Sequence, residues 1–200
     1  MNDESLSLVN IALESARRLE QTLSSMLHFF ESHSLGPRSK SNRIDDLALL
    51  IERARVRGRV VLAADIAPQY NEFTSRLDAD ELEMIFSEIF TNARRFHPTQ
   101  TPRVELSLAC DANGILTFVV QDDGVHLNTA ELRRITQPFY QSERWHTGEV
   151  DGAGLGLNII STLLWSAGGH LKLENRSDRA GLKVTLKLPA TLNPVHTSCA

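Results

Sequence analysis

A stretch of eight residues constrains the fold more than any other, and it reads Asp151-Gly152-Ala153-Gly154-Leu155-Gly156-Leu157-Asn158. Its three glycines stand at alternate positions, directly before an apolar run that predicts a helix over 155–167. Backbone amides without a neighbouring Cβ can turn toward an anion, and a helix N-terminus adds partial positive charge. No Gly-Lys-Ser/Thr follows, which excludes a P-loop. The stretch therefore predicts either another kind of phosphate loop or a structural turn.

A second candidate is a polar stripe on the helix predicted over Ala79–Phe96. Glu88, Asn92 and Arg95 are spaced by four and three residues, which places them on one narrow face of that helix. A carboxylate, an amide and a guanidinium in a row can accept a proton, bind Mg²⁺ through oxygen and neutralise phosphate. The alternative is the solvated face of an amphipathic helix, which needs no ligand.

The third candidate is the point where an apolar strand-like run stops at a carboxylate. Residues 115–122 end at Asp122, and Asp123 and Gly124 follow. A carboxylate at the edge of a buried pocket can accept a hydrogen bond from the exocyclic amino group of adenine, which distinguishes adenine from guanine. The alternative is a plain Asp-Gly turn.

Between these motifs the chain alternates strand-like and helix-like segments, so we predict an α+β fold. Predicted strands cover Arg59–Asp65, Arg103–Cys110, Ile115–Asp122, His170–Glu174 and Leu182–Leu188. Besides Ala79–Phe96, predicted helices cover Asn128–Ile135, Leu155–Ala167 and a shorter segment with Ile44, Leu47, Leu50, Ile51 and Ala54 at helical spacing. The turn-like residues 111–114 predict a hairpin. The expected architecture is a two-layer α/β sandwich, one mixed sheet with helices on one face.

A long helix is predicted at the N-terminus, from about Asp3 to Ser32. Val9, Ala16, Leu23 and Phe30 recur every seven residues, and a second heptad position interleaves with them. Such a narrow apolar seam suits a helix in a dimeric bundle, and it also suits a long helix lying on its own domain. A Gly-Pro pair at 36–37 ends this segment.

Composition excludes several classes of function. The net charge of −4 gives no general basic field, so binding to nucleic acid is not expected. The longest clean apolar run, Ile115–Val120, is far below the roughly 20 residues of a membrane span, so no membrane contact is expected. Two cysteines do not make a disulfide framework, which predicts a reducing, cytoplasmic setting.

Four stretches, in their order along the chain, resemble the motifs of one known family of ATP-binding domains. They are an Asn motif at Glu88–Ala93, a first glycine motif at Asp122–Gly124, a Phe motif at Gln137–Tyr140 and a second glycine motif at Gly152–Leu157. Residues 168–175 and 181–189 are similar to the closing strand pair of histidine kinases in particular. Over about Ile44–Ala190 the chain thus resembles the catalytic domain shared by histidine kinases, DNA gyrase, heat-shock protein 90 and mismatch-repair ATPases.

This resemblance implies a site for ATP and Mg²⁺ with one role for each motif. Asn92 would bind the Mg²⁺ that bridges the phosphates, and Arg95 would lie beside those phosphates. Glu88 would be the catalytic residue that orients or deprotonates the attacking group. Asp122 would recognise adenine, and Gly124 would permit its close approach. Positioning and electrostatic clamping would carry the phosphoryl transfer.

The resemblance also assigns the glycine-rich stretch. Gly152, Gly154 and Gly156, with Leu155 and Leu157 between and after them, would wrap the ATP phosphates. Residues 141–152 would form a lid over the nucleotide. One departure stands nearby, because relatives usually carry a glycine where this chain has His126. If that position needs a positive φ, we expect strain of about 1 kcal/mol and weaker nucleotide binding.

Upstream, Val9–Glu31 resembles the second helix of the dimerisation and phosphotransfer hairpin of sensor kinases. The expected divisions are a dimerisation-type helix at 1–35, an ATP-binding domain at 36–190 and a loose tail at 191–200. A homodimer through that helix is implied. His28 is not followed by an acidic residue until Glu31, so the phospho-acceptor histidine is expected outside this chain.

Three functions remain open at this point. The first is the catalytic domain of a sensor histidine kinase in two-component signalling, with a response regulator or a histidine-containing phosphotransfer protein as partner. The second is a stand-alone serine/threonine kinase of the anti-sigma-factor type. The third is a non-catalytic, ATP-responsive dimeric module that docks a response regulator.

Overall fold

A computed structural model describes Leu13, residues 39–137 and residues 155–192 of the chain. Seven strands and four helices alternate along these residues, and the labels used below follow chain order. The strands are β1 Asn42–Ile44, β2 Val61–Asp65, β3 Phe73–Ser75, β4 Arg103–Cys110, β5 Ile115–Asp122, β6 His170–Asn175 and β7 Leu182–Leu192. The helices are α1 Leu47–Gly58, α2 Ala79–Arg95, α3 Thr129–Arg134 and α4 Gly156–Ser166, and a 3₁₀ turn covers Pro68–Tyr70.

One mixed sheet contains all seven strands. Its order is β1-β3-β7-β5-β4-β2, and β6 also pairs with β7. The β2–β4 pair is parallel, and every other pair is antiparallel. Strand β7 is long enough to pair with β6 over Leu182–Lys187 and with β3 over Ala190–Leu192. The shared strand β7 therefore joins two separate parts of the chain into one sheet.

Helices α1, α2 and α3 each begin at a side chain that caps a free backbone amide. At the start of α2 the Asp78 side chain accepts from the Glu81 amide, and the Glu81 side chain accepts from the Asp78 amide. The Asp46 side chain caps α1 by accepting from the Leu49 amide. Helix α1 ends at Arg59, which adopts the left-handed conformation at φ 53°.

The core lies between one face of the sheet and the helices. Burial alternates along β4 and β5, as expected for strands with one covered face. The buried strand residues include Val104, Leu106, Leu116, Phe118 and Val120. Phe118 meets Phe86 of α2 edge to face, with ring centroids 5.4 Å apart. The predicted two-layer α+β sandwich is confirmed for these residues.

The predicted strands and helices of the described chain are confirmed to within four residues at their ends, with one exception. Ile44 is wrongly predicted as helical, because it belongs to the short strand β1 and the helix begins at Leu47. Strands β1 and β3 escaped prediction, since each has only three residues and their pairing depends on β7. The N-terminal heptad helix lies outside the described residues, except that Leu13 is helical and exposed.

No helix among the described residues combines the length and the apolar content that crossing a bilayer requires.

Candidate functional site

The polar stripe of α2 lies at the border between core and solvent. Glu88, Asn92 and Arg95 are all half-buried, whereas Ile89 and Ala93 beside them are buried in the core. The apolar residues fix the rotation of the helix, because turning it would expose them. The three polar side chains are therefore presented together along one edge of the helical layer.

The first turn of α4 comes against this stripe. A Cβ atom built on Gly156 would overlap Glu88 Oε2 and would lie 3.8 Å from Asn92 Nδ2. A side chain at position 156 would therefore require the Glu88 carboxylate to move. The structure brings Gly156, the described glycine of the second glycine motif, against the Asn motif.

The N-terminus of α4 lies at this junction. Among the described residues no side chain caps it, and its first turn contains no acidic residue. Leu155, the residue at the N-cap position, is 1% exposed, so its side chain packs in the core and any ligand contact would come from its backbone. Leu157 is half-buried. Backbone amides at a helix N-terminus are able to bind an anion, and both Asn92 and the Glu88 carboxylate lie beside this one.

Part of the predicted phosphate loop lies outside the described residues. Gly152 and Gly154 belong to that part, as does the predicted lid over 141–152. The described chain on either side is tied together by Asn158 of α4, whose Nδ2 donates to the Thr136 carbonyl over 3.1 Å. The two ends of the undescribed segment are thus held near each other.

The carboxylate of Asp122 is held at the end of β5. Its Oδ1 accepts hydrogen bonds from the amides of Gly124, at 2.8 Å, and Leu182, at 3.2 Å. Within the described residues Oδ2 accepts none, so this oxygen is available to a ligand. A Cβ on Gly124 would stand 2.9 Å from Oδ1, which explains glycine at this position.

Burial controls the ionisation of Asp122. Loss of solvent raises the pKa of this carboxyl above its ordinary value, and the amides of Gly124 and Leu182 partly oppose that rise. The neighbouring Asp123 raises it further, and His97 lowers it. The site therefore holds a carboxylate in a half-dry environment, where a hydrogen bond to a ligand counts for more than in water.

Sequence reasoning missed the support behind Asp122. Arg176, with a side chain only 2% exposed, donates from Nη1 to the Asp122 carbonyl over 3.3 Å. Gly181 has a φ of 126°, and a Cβ there would collide with the same carbonyl oxygen. Asn175 binds the backbone of Leu127 twice, accepting at 2.9 Å and donating at 2.7 Å. The turn between β6 and β7 thus clamps the loop that carries Asp122.

His97 was also missed, and it connects the two ends of the site. It follows the end of α2, five residues after Asn92, and its Nε2 lies 3.2 Å from Asp123 Oδ1. Its Nδ1 accepts from the Thr99 amide, which leaves the proton on Nε2 to be donated to Asp123. The Asn motif and the first glycine motif are therefore neighbours. The place of His97 in the sequence, directly before Pro98, does not indicate a contact with Asp123.

The strain expected at His126 is wrong. Among the described residues other than glycine, only Arg59 and Gln100 have positive φ. The His126 side chain is exposed, and its Nε2 lies 2.9 Å from the Arg179 carbonyl. The loop therefore accommodates a side chain at this position without left-handed backbone, and the histidine adds a contact to the β6–β7 turn.

Two further observations limit the chemistry. Within the residues that the structure describes, no group of three or more His, Cys, Asp or Glu side chains could hold a metal ion. A cavity of about 280 Å³ opens elsewhere, beside Ala48 and the segment 66–72, and none of the predicted site residues lines it.

A sequence profile of the family described as histidine kinase-, DNA gyrase B-, and HSP90-like ATPase matches residues 77–192 of the chain. The sensor histidine kinase CpxA of Escherichia coli K12 is 34% identical over 108 residues, which are 54% of this chain and 22% of CpxA. The autoinducer 2 sensor kinase/phosphatase LuxQ of Vibrio cholerae is 27% identical over 199 residues, which are 96% of this chain and 23% of LuxQ. The chain thus spans about a fifth of the length of these curated relatives.

Solved structures share the fold. The full-length structure of ShkA in complex with AMPPNP superimposes with a TM-score of 0.73 at 23% sequence identity. That match covers 96% of this chain and 40% of ShkA.

Proposed function

This chain belongs to the family of histidine kinase-, DNA gyrase B- and HSP90-like ATPases, and from that premise we propose that it is the catalytic part of a sensor histidine kinase. It binds Mg-ATP and transfers the γ-phosphoryl group to a histidine outside this chain. The sensor kinases CpxA and LuxQ are among its relatives, which supports the kinase over the gyrase or chaperone branch of the family.

One observation carries the proposal: Gly156, at the start of α4, lies directly against Glu88 Oε2 and near Asn92 Nδ2 of α2. A triphosphate placed there would receive the free amides of α4, the amide group of Asn92 and the charge of Arg95. Gly152 and Gly154 would extend this cradle.

At the other end of the site, Asp122 would bind adenine. Its Oδ1 is occupied by two backbone amides, so the N6 amino group of the base would donate to Oδ2. Guanine carries a carbonyl at that position and would face the carboxylate with an acceptor. The specificity for ATP over GTP would follow from this one contact.

The residues at the junction fit a magnesium ion that arrives with its nucleotide. Asn92 offers an amide oxygen, and the described chain offers no carboxylate cluster that would bind the ion alone. When bound, Mg²⁺ would neutralise the charge that develops between the β- and γ-phosphates.

Glu88 would assist the attacking group. In the transfer, the bond from the γ-phosphorus to the bridging oxygen breaks, a bond to an imidazole nitrogen forms, and ADP leaves. A carboxylate beside the phosphates can hold the acceptor imidazole in the productive tautomer or take its proton. The half-buried position of Glu88 at the α2–α4 junction suits this role.

The proposed function implies partners that the described residues do not include. The acceptor histidine would belong to a dimerisation hairpin of which Val9–Glu31 forms a part, so a cytoplasmic homodimer is proposed. A response regulator or a histidine-containing phosphotransfer protein would then receive the phosphoryl group. The domain boundaries proposed for this arrangement are 1–35, 36–190 and 191–200.

The decisive experiment is incubation with γ-labelled ATP and a separate hairpin segment that supplies an acceptor histidine. We expect label on that segment that is lost in acid and kept in base, as phosphohistidine requires. Acid-stable label would instead support a serine/threonine kinase. Nucleotide binding without any label would support the non-catalytic module, and either result would overturn the proposal.

A further inference from the structure

We propose that Arg176 is a positioning residue for adenine recognition, which it serves by fixing the main chain of Asp122 from the far side of the sheet. The inference rests on the proposed function, since it concerns the specificity of the same site. It goes beyond that function in placing a determinant of base selectivity in the turn between β6 and β7.

The contacts of Arg176 use its whole guanidinium. Nε and Nη2 donate to the two carboxylate oxygens of Asp178 over 3.0 and 2.8 Å. Nη2 also donates to Glu105 Oε2 over 3.2 Å, and Nη1 donates to the Asp122 carbonyl over 3.3 Å. The two carboxylates therefore aim the guanidinium, and the remaining nitrogen reaches Asp122.

The charge of Arg176 is balanced although its side chain is almost completely buried. Arg179 also binds Glu105 and lies 3.5 Å from Asp178, so the cluster contains two cations and two anions. The Arg176 guanidinium lowers the pKa of Asp178 to about 2, and Glu105 and Asp178 raise that of Arg176. Arg176 and Asp178 therefore stay charged over the whole neutral range, and the hydrogen bond from Arg176 to Asp122 is charge-assisted.

The consequence for Asp122 is a residue held at three points by one turn. Arg176 binds its carbonyl, Gly181 packs against that carbonyl, and the Leu182 amide binds Oδ1. All three residues lie in or beside the turn that the Arg176 amide closes by donating to the Gly181 carbonyl over 3.0 Å. If the turn shifts, the direction in which Oδ2 points shifts with it.

The chain contains a matched control in the same cluster. Arg179 has the same charge and shares both carboxylate partners, but its side chain is 51% exposed, and its described hydrogen bonds and ion pairs do not include Asp122. If the cluster only stabilises the fold, substituting either arginine should have a similar effect. If Arg176 positions Asp122, only substitution of Arg176 should change the recognition of adenine.

The test compares two ligands that differ by one amino group, ADP and the diphosphate of purine riboside, by calorimetry on the full chain. For Arg176→Lys we expect about a tenfold loss of affinity for ADP and less than a twofold loss for purine riboside diphosphate. Arg179→Lys should leave both affinities within twofold. A purely structural role for Arg176 would weaken both ligands equally, and that result, or an unchanged ratio, would overturn the inference.

A second variant keeps the inference testable if Arg176→Lys does not fold. Glu105→Gln removes one of the two carboxylates that aim the guanidinium. The Glu105 side chain is 44% exposed, so the substitution does not disturb the core. It should change the ratio of the two affinities in the same direction by about threefold, and no change would overturn the inference. Failure of the proposed function looks different, because the wild-type chain would then bind neither nucleotide or would bind both equally.

Discussion

The two ends of the proposed nucleotide site are built in contrasting ways. At the adenine end, Asp122 is fixed by backbone amides, by a turn with a left-handed glycine and by a buried arginine. At the phosphate end, Glu88 and Asn92 lie on α2, and they face α4 at Gly156, which has no side chain.

The difference follows from what each end must recognise. Distinguishing an amino group from a carbonyl requires one oxygen in one direction, so the carboxylate has to be held rigidly before the ligand arrives. Phosphates are bound by many amides and by charge, and such binding tolerates a chain that closes around its ligand. Described residues therefore hold Asp122 in place at the proposed adenine end, whereas the proposed phosphate end would depend in part on Gly152 and Gly154.

The largest expected effect separates chemistry from binding at the phosphate end. Glu88→Gln should leave the affinity for ATP within about twofold but lower the rate of transfer to a supplied acceptor by roughly 10²–10⁴, as removal of a general base does. The two quantities are measured by calorimetry and by a labelled transfer assay. Equal turnover in the variant would leave Glu88 with a structural role.

The next effect concerns the adenine end. Asp122→Ala removes the carboxylate that we propose accepts from N6, at a cost of about 2–3 kcal/mol, so ATP should bind roughly 30- to 150-fold more weakly in calorimetry. Asp123→Asn is the matched control, because it neutralises the adjacent carboxyl without touching Oδ2, and we expect a much smaller loss. Similar losses in both variants would mean that general charge, not a specific contact, determines binding.

Gly156→Ala tests the contact between the two helices. Its Cβ would overlap Glu88 Oε2, and we expect overpacking to cost about 1–3 kcal/mol and ATP affinity to fall by roughly tenfold. In the control Gly58→Ala, the new Cβ would lie 2.5 Å from Phe90 Cβ, in the core between α1 and α2. Gly58→Ala should lower the free energy of unfolding without altering the ATP affinity of the folded protein. A loss of ATP affinity in this control would contradict the specific role of Gly156.

The proposed adenine end should also respond to pH. Because burial holds the pKa of Asp122 above its ordinary value of 3.8, the carboxyl gains a proton as the pH falls through that raised pKa. Affinity for ADP should then decrease in calorimetry, since a protonated carboxyl is a poorer acceptor. The folded state binds this proton more tightly than the unfolded chain, so the contribution of Asp122 to unligated stability should rise over the same window.

Asp122→Asn is the control for that measurement, because it removes the titrating group. The pH dependence of affinity should lose this component in the variant, and an unchanged profile would assign the titration to another group.

The smallest expected effect is a change in the free energy of unfolding at α2 that leaves ligand affinity unchanged. Ser87 is buried, and its Oγ has no hydrogen-bond partner among the described residues. It lies on the face of α2 toward α1, between Glu83, which pairs with Arg57, and Phe90, which contacts Gly58. Ser87→Ala should therefore raise the free energy of unfolding by about 1 kcal/mol with ATP affinity unchanged. A destabilised variant in thermal unfolding would contradict this.

Prediction from sequence succeeded where local pattern and tertiary contact agree. The strands β4 and β5 and the helix α2 were predicted nearly residue by residue, because alternation and helical spacing record which face is buried. The order of the Asn and glycine motifs also placed Glu88, Asn92 and Gly156 in one site. Ile44 failed for a physical reason, since an apolar residue just before a helix continues the helical pattern although it pairs as a strand.

The sequence by itself determined the family of the chain, the two-layer fold and the residues that face each other across the α2–α4 junction, because glycine spacing and hydrophobic period are local properties. Only the tertiary structure showed that Arg176 and Gly181 support Asp122, that His97 binds Asp123, and that His126 has no left-handed backbone strain. These contacts join residues that are far apart in the sequence, or they depend on a backbone angle. No local pattern records such contacts, since they exist only after the sheet has brought its strands together.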